Sequence, residues 1–297
     1  MCGIVGFYLK NEALRPQLGD YFATMLICMT SRGPDSAGLA VYHDDVPDGD
    51  VKLTLQCFGD NINWETLGGA LEDHFDSKVV IKKNYITVQV ASDKNQIKQW
   101  LKANYSDIKV MSTGQSIEIV KEVGLPESVV DRFDVRSMTG SHIIGHTRMA
   151  TESAVTTAGS HPFTTGHDFC LVHNGSLSNH NRLRNELAQH HGITFETDND
   201  SEVAAGYLSY QLQQGKTLHE ALESALDDLD GFYTFAVGTK TGFAVLRDPI
   251  ACKPAVLAET DDWVAMASEF TSLADLPGID HAQLWEPEPA TVYSWGD

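Results

Sequence analysis

The amino-acid sequence predicts a layered α+β fold. Apolar, β-rich runs stand at both ends of the chain, and three segments of helical spacing follow one another between residues 178 and 228. No regular strand–helix–strand alternation of the kind that builds a parallel sheet is evident.

The elements follow in order. Residues 2–9 are apolar, rich in strand formers and closed by Lys10, so they read as a buried strand. Leu18, Phe22, Leu26 and Met29 recur at helical spacing and predict a helix over 16–30, with Pro16 in its first turn. Gly33 and Pro34 force a turn, and a strand from Gly38 to Tyr42 runs back. Residues 44–50 are an acidic exposed loop. Residues 78–91 alternate with β-branched side chains, 93–104 carry Ile97, Trp100 and Leu101 at helical spacing, and 108–120 return to strand. No Gly-, Ser- or Pro-rich linker flanks this β-α-β stretch. It reads as an α+β segment inserted at about 44–139 in a single domain over 1–297.

Ile143 to Thr151 is a strand leading into a loop, and Ser160-His161-Pro162-Phe163 is a turn. Residues 168–172 form a strand ending at His173-Asn174-Gly175, a turn dipeptide by composition. Helices are expected over 178–191, 201–214 and 217–228, then strands between Phe232 and Val245 and over 254–258, 263–267 and 291–295.

Composition excludes several classes. The 297 residues are 42% hydrophobic and 21% charged, which suits a globular protein. No run approaches the roughly 18 apolar residues of a membrane span. The first residues lack the basic and apolar regions of a secretory signal. Cys2, Cys28, Cys57, Cys170 and Cys252 are scattered with no CxxC pair, so they read as free thiols in a reducing cytoplasm. A net charge of −20 argues against nucleic acid, whose binding needs clustered Lys and Arg. That acidity fits either solubility or docking to a basic partner surface. His142 and His146 share an apparent strand, His190 and His191 are adjacent, and no carboxylate or cysteine joins them at ligand spacing, so no metal site is expected. Neither G-x-G-x-x-G nor a P-loop occurs.

Several residues carry two readings each. Cys2 is either a small hydrophobe opening a strand or a nucleophile. If Met1 is removed, Cys2 holds a thiol and a free α-amine on one residue, and an N-terminal amine is a known base for its own side chain. Arg32-Gly33-Pro34-Asp35 is a helix stop, or more than that. Arg148, where a strand meets a loop, offers a bidentate fork for a carboxylate. Asn174-Gly175 is a hairpin turn or an oxyanion hole made of an amide side chain and a glycine N–H. Asp200 caps a helix or receives an ammonium group.

Taken together and in this order, Cys2-Gly3-Ile4-Val5-Gly6, Arg32-Gly33-Pro34-Asp35-Ser36, Gly145-His146-Thr147-Arg148-Met149-Ala150-Thr151, His161-Pro162-Phe163, His173-Asn174-Gly175 and Asp200-Ser201-Glu202 resemble the class II glutamine amidotransferase family. Arg247-Asp248-Pro249, Lys253-Pro254 and Ala267-Ser268-Glu269 extend the resemblance over nearly the whole chain. It implies a four-layer αββα sandwich of the N-terminal nucleophile hydrolase type. It also implies roles: Cys2 as nucleophile with its own amine as base, Asn174 and the Gly175 N–H as oxyanion hole, Arg148 and Thr151 on the α-carboxylate of L-glutamine, Asp200 on its α-ammonium, and Arg32 supporting the loop around Cys2. The sequence departs from the pattern at Met149 and Glu152, where some relatives have an aromatic and a histidine.

Amidotransferases of this kind hand ammonia to a synthase module, and no such module follows here. The arrangement resembles the separate amidotransferase subunit of glutamate synthase and N-methylglutamate synthase complexes. This implies separate synthase-type partner subunits that carry FMN and iron–sulfur clusters, with no cofactor in this chain. A catalytically silent assembly subunit of such a complex is the alternative.

Overall fold

The computed structural model describes residues 2–59, 62–91, 94–150 and 154–296. In chain order its elements are β1 (Gly3–Leu9), α1 (Leu18–Cys28), β2 (Ser36–Tyr42), β3 (Val51–Cys57), α2 (Trp64–His74), β4 (Ser77–Ile81), β5 (Ile86–Val90), α3 (Lys94–Asn104), β6 (Ile108–Gly114), β7 (Ile117–Val123) and α4 (Pro126–Phe133). There follow β8 (His142–Arg148), β9 (Cys170–Leu177), α5 (His180–His191), α6 (Asp200–Gln213), α7 (Leu218–Asp228), β10 (Gly231–Gly238), β11 (Gly242–Arg247), β12 (Val256–Glu259), β13 (Trp263–Ala267), β14 (Gln283–Trp285) and β15 (Val292–Gly296).

Two antiparallel sheets lie face to face between helices. The larger runs β14-β12-β13-β1-β8-β2-β7, with β1 at its centre, and the smaller runs β15-β11-β10-β9. The period-2 alternation of strand side chains assigns the layers. Val5, Phe7 and Leu9 of β1 join Leu39 and Val41 of β2 in a core against Phe22, Met25 and Leu26 of α1 and Val130 and Phe133 of α4. The alternate residues, Ile4, Ala40 and Ile144, face Val172, Ala236 and Val245 of the smaller sheet. On that sheet's far side, Leu171, Phe235 and Val237 pack on Leu187 of α5, Val203 and Leu208 of α6 and Leu222 of α7. The result is the α–β–β–α stack expected from the sequence. Helix α6 is buried along most of its length, from Ser201 to Ser209, as a helix sheathed by α5, α7 and β9 must be.

The helix expected over 16–30 is shorter. Pro16 lies in a 3-10 turn, Glu12–Gln17, that Asn11 opens by accepting from the Ala13 N–H. The dipeptide Asn174-Gly175 is not a turn. Strand β9 continues through it to Leu177, with Asn174 opposite Thr234 and Gly175 opposite Tyr233.

Residues 51–114 build a third sheet, β4-β5-β3-β6, covered by α2 and α3 with a core of its own around Leu53, Leu67, Ile86 and Leu101. Its outer strand β4 exposes Val80 and Ile81. Strands β3 and helices α2 and α4 were not marked by the sequence pattern; Lys52, Thr54 and Gln56 make β3 look polar, yet all three are buried. The 108–120 stretch divides between sheets, β6 in the third and β7 in the large one.

Two buried carboxylates fix this junction. Asp168 accepts from the backbone N–H groups of Gln115, Ser116 and Ile117 and from the Ser116 hydroxyl. Glu118 accepts from the Tyr85 hydroxyl at 3.1 Å and Lys52 Nζ at 3.3 Å, with His43 Nε2 at 3.4 Å. Burial alone pushes the Glu118 carboxyl up, but His43 and Lys52 outweigh it and hold it below the usual range. Asp168→Ala strands three backbone donors, at about 1–3 kcal/mol for each buried group left unsatisfied. Urea unfolding is expected to show a loss of roughly 3 kcal/mol or more; an unchanged midpoint would contradict the assignment.

Candidate active site

The site grows from the start of β1. Gly3 pairs with Thr147, so the register carried one residue further sets Cys2 across from Arg148. Ser268, just past β13, accepts the Ile4 N–H at 2.9 Å and returns its own N–H to the Ile4 carbonyl. The Cys2 carbonyl accepts from Arg32 Nε at 3.0 Å and from Asn174 Nδ2 at 3.2 Å. Arg32 closes the 3-10 turn Met29–Ser31 that follows α1, and Asn174 comes from β9 in the opposite sheet. A primary amide has two N–H donors, so Asn174 retains a second one beside Cys2.

The Arg32-Gly33-Pro34-Asp35 run does more than stop a helix. Arg32 also donates to Glu269 Oε1 at 2.6 Å. A Cβ on Gly33 would lie 2.3 Å from the Thr147 carbonyl carbon and 2.5 Å from the Arg148 nitrogen, so only glycine lets this turn rest on the end of β8. Asp35 donates its N–H to the Arg148 carbonyl and accepts the Ala150 N–H at 2.8 Å. One turn therefore holds both the Cys2 strand and the end of the Arg148 strand.

Gly175 has φ +155°, and a Cβ there would lie 2.0 Å from the Phe232 carbonyl oxygen. The neighbouring strand takes the space of a side chain, so only glycine fits here. Arg148 is buried and donates to the Ala154 carbonyl at 3.3 Å. Asp200 opens α6; its Oδ2 accepts the Leu177 N–H at 2.8 Å and its Oδ1 accepts from the Ser201 hydroxyl at 3.3 Å. The helix cap is Asn199, which accepts from Ser201 N–H, so Asp200 is not the capping residue. Met1, Thr151 and Glu152 lie outside the described residues.

Three buried histidines sit behind these groups. His146 Nε2 is 3.1 Å from the His173 carbonyl, its ring lies 4.0 Å from that of His161, and His173 Nδ1 is 2.8 Å from the Ser201 hydroxyl. Burial keeps all three neutral: it pushes His146 down to about 3, and His161 and His173 also below the ordinary value. Cys170, sealed between the sheets, has its thiol pushed up to about 12 by burial, which removes it as a nucleophile. Among the described residues, no group of three or more His, Cys, Asp and Glu gathers as a metal site, and no helix is long and apolar enough to cross a membrane.

Sequence reasoning did not identify Glu269 as the partner of Arg32 or give Lys121 any role. The signal for Lys121 was a lysine in the apolar strand Ile117-Glu118-Ile119-Val120-Lys121.

The chain is similar to known proteins along its sequence and in its fold. Residues 146–275 match a family model described as a glutamine amidotransferase domain. The chain is 58% identical to the glutamine amidotransferase-like protein GlxB of Rhizobium meliloti over 99% of this chain and 98% of that protein. It is 33% identical, over 99% of each, to a protein of Methanothermobacter thermautotrophicus provisionally named a glutamine amidotransferase. Its fold matches that of the glutamine PRPP amidotransferase of B. subtilis, at a TM-score of 0.63 and 20% identity. That match covers 100% of this chain but 47% of that one, so the chain spans about half its length.

The buried histidines make acid sensitivity testable. His146 at about 3 and His142, pushed by burial to about 4, bind fewer protons folded than unfolded, where the ordinary value is about 6.5. The stability they contribute is complete above about pH 6.5 and is lost as pH falls through these folded values. The urea midpoint is therefore expected to fall between pH 6.5 and 4, and His142→Phe to flatten that slope; identical slopes would refute the assignment.

Proposed function

We propose that this chain, which belongs to the class II glutamine amidotransferase family, hydrolyses L-glutamine to glutamate and ammonia at Cys2. The observation that carries this reading is the convergence of Asn174 and Arg32 on the Cys2 carbonyl, which brings an amide donor from the second sheet beside the thiol. In the reaction, the freed α-amine of Cys2 takes the thiol proton, and the thiolate attacks the side-chain carbonyl of glutamine. Negative charge develops on that oxygen, where the second Asn174 N–H and the Gly175 N–H receive it. The proton returns to the leaving nitrogen, ammonia departs, and a thioester remains on Cys2. Water then attacks the thioester and releases glutamate. Arg148 and Thr151 hold the substrate carboxylate and Asp200 its ammonium. Two opposite charges select the free amino acid over a peptide-bound amide.

The ammonia passes to a separate synthase-type subunit of a glutamate-synthase-like complex, with N-methylglutamate synthase as a specific candidate. In that reading FMN and iron–sulfur clusters belong to the partner chains, and the complex works in the cytoplasm. The match to GlxB, named a glutamine amidotransferase-like protein, over 98% of that protein supports the amidotransferase reading.

Cys2→Ala is expected to abolish glutamine hydrolysis with an unchanged melting temperature; persisting turnover would remove Cys2 as nucleophile. Asn174→Ala is expected to lower kcat by about 100–1,000-fold, the usual cost of one oxyanion donor. An added residue that blocks Met1 removal is expected to inactivate the chain. Affinity purification from the native cell tests the partner: flavin and iron–sulfur absorbance in the co-purifying chains is expected. A chain with Cys2 free and its partners bound, yet without turnover, would instead be a silent assembly subunit.

A further inference from the structure

The loop that follows the Arg148 strand is held from behind by a buried cation. Lys121 of β7 donates from Nζ to the carbonyls of Ala158 at 3.1 Å, Ser160 at 2.7 Å and Pro162 at 3.2 Å, and lies 4.6 Å over the Phe163 ring. Those three acceptors use all the donors of an ammonium group. The same loop meets both proposed clamps. Arg148 donates to the Ala154 carbonyl, and a Cβ on Gly159 would lie 3.6 Å from Arg148 Nη1. Asn199, the residue before Asp200, donates to the Gly159 carbonyl at 3.5 Å.

A buried anion mirrors this on the other side. Glu202 accepts from the N–H groups of Glu196 and Thr197 and from the Thr197 hydroxyl, at 2.6–2.8 Å, and so fixes the approach to Asp200. The Lys121 and Glu202 charges attract through the interior; burial pushes Lys121 down to about 8, and Glu202 and Glu196 oppose that fall. Lys121 is itself fixed from the third sheet. Gln56 of β3 donates to the Lys121 carbonyl at 2.7 Å and accepts the Lys121 N–H at 3.3 Å. This amide caps both backbone groups of one residue on the edge strand of the large sheet.

We propose that Lys121 is a positioning residue for glutamine: tied to the third sheet by Gln56, it sets the 158–162 loop so that Arg148 and Asp200 are spaced for the amino-acid end of the substrate. The inference rests on the glutamine reading above and extends it to residues remote from the thiol. Lys121 touches neither substrate nor nucleophile, so its loss acts on binding of the charged end in ground and transition state alike.

The test uses the full chain with Cys2 at its amino terminus, in wild-type, Lys121→Met, Gln56→Leu and Lys52→Met forms. Lys52 serves as a control because it joins the same sheet junction through Glu118 and the Ser116 carbonyl but does not touch the loop. Two reagents are used, with labelling read at Cys2 by peptide mass spectrometry because Cys28 and Cys252 are exposed: iodoacetamide, which lacks an amino-acid end, and a diazoketone analogue of L-glutamine, which has one. Lys121→Met is expected to slow diazoketone labelling about tenfold and raise the KM for glutamine by a similar factor, with iodoacetamide labelling and kcat within about twofold of wild type, the pattern of lost uniform binding. Lys52→Met is expected to lower the melting temperature with labelling unchanged. Equal diazoketone rates in wild type and Lys121→Met would overturn the proposal alone. A wild type that reacts with iodoacetamide but not with the diazoketone would overturn the glutamine reading and the proposal with it. Should Lys121→Met not fold, Gln56→Leu must show the same split between reagents; its absence would also overturn the proposal.

Discussion

The carbonyl oxygen of Cys2 is the point on which the molecule closes. It accepts one hydrogen bond from Arg32, just past the outer helix, and one from Asn174, in the facing sheet. Without these bonds Cys2, just ahead of β1, would be a fraying end, because the ladder pairs of β1 begin at Gly3. Arg32 is in turn fixed by Glu269, and Ser268 fixes Ile4. The proposed role of Cys2 as nucleophile calls for this density of restraint, since a reacting group misplaced by about 1 Å costs on the order of a hundredfold in rate.

The strands were legible because they depend on periodicity, whereas the four-layer order was implied by the family resemblance. Strands β1, β2 and β13 are largely apolar, as strands covered on both sides are, and their expected bounds, like those of β8, lie within a few residues of those observed. The Cys2, Arg148 and Asp200 sites stand out because unusual residue types fall at element ends. The turn reading of Asn174-Gly175 failed for a reason local sequence cannot show: Phe232, on a strand 57 residues later, brings its carbonyl where a Cβ would have been. Strand β3 was hidden because one of its two buried faces is polar, with Thr54 bonded to Ser112 and Gln56 to Lys121. Partners such as Glu269 for Arg32 are separated by 237 positions and exist only in the fold.

Buried charge recurs where strands and helices hold neighbouring loops. Asp168, Glu118, Lys121 and Glu202 are each nearly sealed from solvent, and each collects several donors or acceptors. A buried ion left without partners is costly, so such groups tolerate few alternative loop conformations. An apolar contact slides; an ammonium shared among three carbonyls does not. The loops at the candidate site thus obtain from charge the precision that β1 and β9 obtain from their ladders.

The outer strand β4 has a different consequence. It is the free edge of the third sheet and exposes Val80 and Ile81, a combination that invites pairing with the edge of another molecule. Lys78 precedes this pair and Lys82 and Lys83 follow it, in a chain whose net charge is −20. Flanking lysines are gatekeepers: to add a second β4 edge to edge, two cationic rows must meet at the strand spacing of about 4.8 Å. A protein that repels its neighbours mainly through negative charge thus guards its stickiest edge with positive charge.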